Sequence, residues 1–292
     1  MRVLIASDLS EASDEALKQG VEMAGGGPIA LCHVMPELGT HALLAQDYEV
    51  DVNRQVSLHP RLVEALRGQL SRLVPDAATP DIFIETGSDY DQILHRAEAW
   101  GAELIALGTH GRSGLRRWLL GSVADQVVRS AHCPVLVARP SPRGAVLAAT
   151  DLSEPGLPAI EAAAAEAARL QEKLVVMHAM ELPREGDAAM GLLGALPALD
   201  TPEVRGQKRA LASQIINGAL TRLGAKGEIV IAEDDAVDET LQLAGSLPAR
   251  LIVVGTHGRK GLARVVLGSR SSRILEKAPC SVLVARSVTA AA

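Results

Sequence analysis

Two fifteen-residue stretches carry the residues best suited to hold an anion. Gly108-Thr109-His110-Gly111-Arg112-Ser113-Gly114-Leu115-Arg116-Arg117-Trp118-Leu119-Leu120-Gly121-Ser122 leaves the apolar run Leu104–Leu107 and feeds Val123, Val127 and Val128, which have helical spacing. The stretch returns as Gly255-Thr256-His257-Gly258-Arg259-Lys260-Gly261-Leu262-Ala263-Arg264-Val265-Val266-Leu267-Gly268-Ser269, with changes only at Lys260, Ala263, Val265 and Val266. Glycine lets a ligand come close to the main chain. A helix beginning at Ser122 or Ser269 adds free N–H groups and the positive end of a dipole, which together suit a phosphate. Arg112, Arg117, Arg259, Lys260 and Arg264 add positive charge beside the loops, and His110 and His257 lie in the middle of them. A carboxylate follows the first apolar run of each half, in Asp8-Leu9-Ser10-Glu11 and Asp151-Leu152-Ser153-Glu154.

Each feature also has a plainer reading. The glycines suit a tight strand-to-helix turn, Asp8 and Asp151 suit a helix-capping turn, and the arginines and histidines suit an ordinary surface. Ser122-Val123-Ala124-Asp125 matches a capping box, in which the Ser122 hydroxyl serves only the helix; Ser269-Arg270-Ser271-Ser272 lacks the acid, leaving Ser269 freer for phosphate. Cys32-His33 hints at a metal, but no second pair with ligand spacing accompanies it, so core packing is the better reading.

The elements that must position these residues alternate. Strands are expected at Arg2–Ser7, Ile29–Val34, Asp81–Thr86, Leu104–Leu107 and Pro134–Ala138. Helices follow from Ser10, an N-cap candidate with Ala16, Leu17, Gly20, Val21 and Ala24 on one face; from Pro60 to Leu73, with Leu62, Leu66, Leu70 and Leu73; from Asp91 to Trp100, with Ile93, Leu94 and Ala97 inward; and from Ser122. Residues 36 to 60 read as part loop and part helix. The second half repeats the order with strands at Ala145–Ala149, Leu174–His178, Ile229–Ala232, Leu251–Val254 and Val282–Ala285. Arg139-Pro140-Ser141-Pro142-Arg143-Gly144 has linker composition, so the expected domains are 1–140 and 144–287. Alternating strands and helices imply right-handed βαβ units: an α/β fold of two tandem domains, each a parallel sheet with helices on both faces. Ligands of such sheets sit at the carboxyl ends of the strands where strand order switches, the edge that carries Asp8 and the glycine loop.

Composition excludes several classes. The 292 residues are 48% hydrophobic but only 2% aromatic, with formal charge −6 and scattered positive residues. Neither a basic face nor stacking aromatics point to nucleic acid. No apolar stretch of about 20 residues suggests a membrane span, and no secretory leader is read at the N-terminus. Cys32, Cys133 and Cys280, odd in number and far apart, fit a reducing cytoplasm and small buried hydrophobes.

The glycine pattern (Gly, two residues, Gly, nine residues, Gly-Ser), met at Gly108, Gly111, Gly121 and Ser122 and again at Gly255, Gly258, Gly268 and Ser269, resembles the ATP-binding branch of the universal stress protein family, in two tandem copies. The first-strand Asp, His33-Val34 and the Cys-Pro-Val-Leu-Val strand share the resemblance. It implies a Rossmann-like, adenine-nucleotide alpha-hydrolase-like fold, with an open five-stranded parallel sheet in each domain. It implies that Ala6, Asp8 and Val34 meet the ribose and adenine, and that Gly108, His110, Gly111, Arg112, Gly121, Ser122 and Val123 surround the phosphates. In the second copy the same carry-over falls on Ala149, Asp151, Ala179, Gly255, His257, Gly258, Arg259, Gly268, Ser269 and Arg270. The nucleotide is ATP, with ADP or AMP open, and magnesium accompanies it where the phosphates require it. Members commonly dimerise through the last strand, so Pro134–Ala138 and Val282–Ala285 are expected to make that contact within one chain, with a homodimer of whole chains also open.

The copies differ. Ala179 replaces Val34 and offers a base less surface; Asp234 and Asp235 make acidic a turn that Gly87 leaves neutral; Arg270 replaces Val123, to help phosphate or to plug the site. The expected function is a nucleotide-binding stress-response regulator with an unknown protein partner. The alternatives are a slow ATP hydrolase or adenylyl-transfer enzyme, for which neither a catalytic set nor a P-loop lysine is read, and a nucleotide-free interaction module.

Overall fold

The computed structural model describes residues 1–36, 48–109, 120–153, 156–180, 201–256 and 267–286, with the side chains of residues 48–56 excepted. The chain divides into two compact units, Met1–Pro140 and Ser141–Ala292.

The first unit runs β1 (Val3–Ala6), α1 (Glu11–Ala24), β2 (Ile29–Met35), α2 (Tyr48–Leu73), β3 (Asp81–Thr86), α3 (Asp89–Trp100), β4 (Leu104–Gly108), α4 (Ser122–Ser130) and β5 (Val135–Ala138). The second runs β6 (Ala145–Ala149), α5 (Leu157–Leu170), β7 (Leu174–Ala179), α6 (Pro202–Arg222), β8 (Glu228–Ala232), α7 (Ala236–Ser246), β9 (Ala249–Gly255), α8 (Ser269–Lys277) and β10 (Ser281–Ala285). Within the first unit the strand order is β3-β2-β1-β4-β5, and within the second it is β8-β7-β6-β9-β10. All these pairings are parallel, for instance Ala6 beside Cys32 and Ile5 beside Ala106 in the first, Ala149 beside Met177 and Val254 in the second.

The strands read as unbroken apolar runs because helices cover both faces of such a sheet. Val3, Leu4, Ile5, Ile105, Ala106, Val135, Leu136 and Val137 are fully buried, as are Val146, Ala148, Ile252, Val253, Val282 and Val284. The helices meet the expected spacing with adjustments. In α1 Ser13 and Met23 are buried and Val21 is only half-buried; in α3 Ile93 and Ala97 are buried, whereas Leu94 is half-buried rather than inward. Helix α2 begins at Tyr48 and runs through Pro60; Leu66 and Leu70 are buried, while Leu62 and Leu73 are half-buried.

Candidate functional site

Strand order places the candidate site. The chain leaves β1 toward β2 on one side and later returns to β4 on the other. Strand order thus switches between β1 and β4, and between β6 and β9 in the second unit, and the carboxyl edge at such a switch is where open parallel sheets of this kind form a ligand crevice.

The turns after β1 and β6 are built alike. The Ser7 hydroxyl accepts from the Leu9 amide (3.1 Å), and the Thr150 hydroxyl accepts from the Leu152 amide (3.1 Å). Asp8 Oδ1 accepts from the Ser10 amide at 3.1 Å and the Ser10 hydroxyl at 2.5 Å; Asp151 Oδ1 accepts from Ser153 at 3.0 and 2.6 Å. These bonds hold Leu9 at φ 65° and Leu152 at φ 60°, a region costing a side-chain-bearing residue roughly 1–2 kcal/mol. The second carboxylate oxygen of each acid, Oδ2, is buried, and that of Asp151 accepts no hydrogen bond from any described residue. Ser10 sits at the N-cap of α1 as its type suggests, but no side-chain cap forms there and its hydroxyl goes to Asp8.

A histidine secures each turn from behind. His33 Nδ1 lies 2.7 Å from the Ser7 carbonyl, and His178 Nδ1 lies 2.9 Å from the Thr150 carbonyl. A carbonyl only accepts, so Nδ1 carries the proton in both rings. Sequence reasoning read His33 as core packing or part of a resemblance and missed this tether. The available signal was the recurrence of a histidine at the same place in β7. The neighbouring Cys32 is buried, and desolvation, then Glu85, push its thiol up to about 12 against the opposing pull of Arg96. Cys133 and Cys280 are buried too.

The loops after β4 and β9 are closed at their base. The Gly121 amide donates to the Thr109 carbonyl (2.7 Å), and the Gly268 amide to the Thr256 carbonyl (2.8 Å). Those two amides, read from sequence as phosphate donors, are spent on loop closure. His110, Gly111 and Arg112, and His257, Gly258 and Arg259, lie outside the described residues. Gly108 has a packing reason for its type: a Cβ there would stand 2.5 Å from the Ala12 carbonyl oxygen of α1.

The capping-box reading of Ser122 fails. Gly121 is the N-cap of α4, Ser122 is already helical, and no side chain caps the helix. Asp125 instead pairs with Arg129 one turn on, at 2.9 Å. Gly268 is likewise the uncapped N-cap of α8. Both helices thus begin at a glycine whose position supplies no side-chain cap, at the carboxyl edge of the sheet. Ser122, Ser269 and Arg270 are exposed and Val123 is half-buried, while the Ser271 hydroxyl donates to the Gly255 carbonyl (2.8 Å). Ala6, Val34, Ala149 and Ala179, at the ends of β1, β2, β6 and β7, are half-buried at the same edge.

The acidic turn of the second unit has a local role. Asp235 Oδ1 caps α7 by accepting from the Val237 (3.0 Å) and Asp238 (3.3 Å) amides, and Arg273 of α8 stands 3.6 Å from Asp235 Oδ2. The cap and the guanidinium offset its negative charge. No group of side chains able to hold a metal ion occurs among the described residues.

Comparison with known proteins follows the same division of the chain. The model of the universal stress protein family matches twice, over residues 1–139 and 143–286. A universal stress protein of Mycobacterium tuberculosis H37Rv is 34% identical over 193 residues, 63% of this chain and 62% of that relative; the chain thus spans less than two thirds of its length. A second from the same organism is 29% identical over 231 residues, 74% of this chain and 68% of that protein. Among solved structures, a universal stress protein from Archaeoglobus fulgidus superposes with a TM-score of 0.66 at 20% identity, covering 98% of both chains, a likeness of fold.

Proposed function

This chain belongs to the universal stress protein family, and from that premise we propose that each of its two crevices binds an adenine nucleotide, ATP, whose presence sets how the protein engages a protein partner in a cytoplasmic stress response. The observation that carries the reading is Asp151 Oδ2. It is a buried carboxylate oxygen without a described partner, on a strained turn at the strand-order switch, in an acid whose other oxygen is already occupied twice. A buried charged oxygen left unpaired costs free energy, and a ribose hydroxyl entering the crevice would satisfy it.

The remaining assignments follow from position. Asp8 takes the ribose in the first unit as Asp151 does in the second; Val34 offers the base an aliphatic surface that Ala179 reduces. The phosphates lie toward the starts of α4 and α8, where the amides of Ser122 and Ser269 and the helix dipoles act, and Gly111 and Gly258 complete the loops. Magnesium, where bound, would neutralise charge on the phosphates, which would supply most of its ligands, since no group of described side chains could hold it. No described helix is long and apolar enough to cross a membrane.

The test is to denature the purified protein and assay the released small molecules for ATP, ADP and AMP, then to titrate emptied protein with ATP and magnesium by calorimetry. Saturable binding weakened in Asp8→Ala and Asp151→Ala supports the reading; absence of binding in both assays overturns it. Phosphate release under the same conditions separates a binder from a hydrolase.

A further inference from the structure

The two turns share the left-handed leucine and the bonds around it but differ in their fastenings. Behind the first lies a buried polar cluster that reaches into α2. Ser7, Ser13 and Gln69 are 4%, 3% and 6% exposed. The Ser7 hydroxyl donates to Gln69 Oε1 (2.7 Å), Gln69 Nε2 donates to the Ser13 hydroxyl (3.1 Å) and to Asp14 Oδ1 (2.6 Å), and the Ser13 hydroxyl donates to the Ser10 carbonyl (2.7 Å). Arg72, one turn further along α2, reaches Asp14 at 3.2 Å. The Ser7 hydroxyl also stands 3.1 Å from the Ser13 hydroxyl, but each hydroxyl has one hydrogen, and with Ser7 donating to Gln69 and Ser13 to the Ser10 carbonyl that contact carries none. Both amide hydrogens are used, and a carboxylate that only accepts fixes which way the Gln69 amide faces.

Among the described residues of the second unit these fasteners are missing. Gly156 stands in the place of Ser13 and Leu157 in that of Asp14. Leu70-Ser71-Arg72-Leu73 matches Leu220-Thr221-Arg222-Leu223 at the helix end, which sets Ala219 in the place of Gln69. Besides accepting from the Leu152 amide, the Thr150 hydroxyl donates among the described residues to the Gly156 carbonyl, at a long 3.4 Å. A serine at Gly156 would also have to displace the Asp151 carboxylate, because a Cβ there would stand 2.5 Å from Asp151 Oδ1.

We propose that Gln69 is a positioning residue of the first site alone: it ties α2 to the β1–α1 turn through Ser7 and Ser13, stiffening the presentation of Asp8, while the second site works without such a tie to α6. The role of the turn in binding rests on the nucleotide reading; the bracing itself does not. A stiffer turn loses less freedom when a ligand arrives, so the first site owes part of its affinity to α2. By linkage, whatever displaces α2 weakens nucleotide at the first site and leaves the second unaffected.

The experiment is amide hydrogen exchange on the full-length chain without nucleotide, comparing wild type with Gln69→Leu. Exchange at Leu9 and Ser10 is expected to quicken by roughly tenfold, the effect of about one buried hydrogen bond, while Leu152 and Ser153 keep their rates. Unchanged rates at Leu9 and Ser10, or equal quickening in both turns, overturns the proposal. Should Gln69→Leu fail to fold, Ser13→Ala removes one link of the cluster and is held to the same outcomes. In a second arm, ATP affinity is measured in Asp151→Ala, which isolates the first site, and in Asp8→Ala, which isolates the second. Gln69→Leu weakens Kd roughly tenfold in the former background only; equal weakening in both overturns the positioning role. If wild type binds no ATP but the exchange difference holds, the nucleotide reading fails and the bracing stands.

Discussion

Leu9 and Leu152 occupy the same left-handed backbone region, each one residue after the acid that follows its unit's first strand. A leucine adopts that region only where surrounding bonds hold it there, and the two turns share those bonds: hydroxyl to amide before the acid, carboxylate to amide and hydroxyl after it. Replacing Leu9 by Gly removes the native strain but loosens the unfolded chain, so stability in urea is expected to change by less than about 1 kcal/mol. Leu9→Ile, with a branched Cβ in the left-handed region, is expected to lose more than about 1 kcal/mol. Equal stabilities for the two variants would contradict a held turn.

Gly108 belongs to the packing of α1 as much as to any ligand. Gly108→Ala drives a methyl against the Ala12 carbonyl. Thermal unfolding without nucleotide is expected to show a loss of about 1–3 kcal/mol. A variant as stable as wild type would mean the glycine is there for the ligand alone.

The caps of α3 and α7 make a matched pair. Asp235 accepts from two amides at the start of α7, whereas Ser88 at the start of α3 makes no side-chain cap. Asp235→Ala is expected to cost about 1 kcal/mol in chemical denaturation and Ser88→Ala close to nothing.

Cys32 gives a pH dependence whose sign can be worked out. Its folded-state pKa, about 12, lies above its ordinary value of 9.0. Above pH 9 the unfolded chain releases this proton while the folded chain keeps it, so unfolding is favoured as pH rises. Between pH 9 and 12 the group takes away stability at up to about 1.4 kcal/mol per pH unit, and below pH 9 it has no such effect. The comparison is denaturation of wild type against Cys32→Ala across that range: the gap between the two curves should change with pH in wild type's disfavour only above pH 9. The same burial predicts that Cys32, Cys133 and Cys280 resist a thiol reagent at pH 7 until the protein unfolds.

Much of this was legible in the sequence because each strand of a doubly covered sheet must be apolar along its whole length. Val3–Ile5, Leu104–Leu107 and Val135–Ala138 announced themselves in that way, and repetition of Asp-Leu-Ser-Glu and of the glycine loop located the same edge twice. What escaped depends on partners distant in the chain. Nothing local marks His33 as a tether for a carbonyl 26 residues away, or joins Gln69 to Ser7 across 62. The capping-box pattern at Ser122 misled because the helix takes Gly121 as its boundary, which leaves Asp125 free to turn toward Arg129. Gly108 and Gly121 were read as ligand contacts because a glycine's type records that something comes close, whether a phosphate, a helix or the loop's own carbonyl.

The exchange of Ser13 and Gln69 for Gly156 and Ala219 separates the form of an element from its compliance. Duplicated modules of this kind inherit one contour and can then be tuned, copy by copy, by what stands behind it. An engineer who transplants the serine and glutamine would have to make room beside Asp151 first, so the softness of the second half is written into its space as well as its side chains.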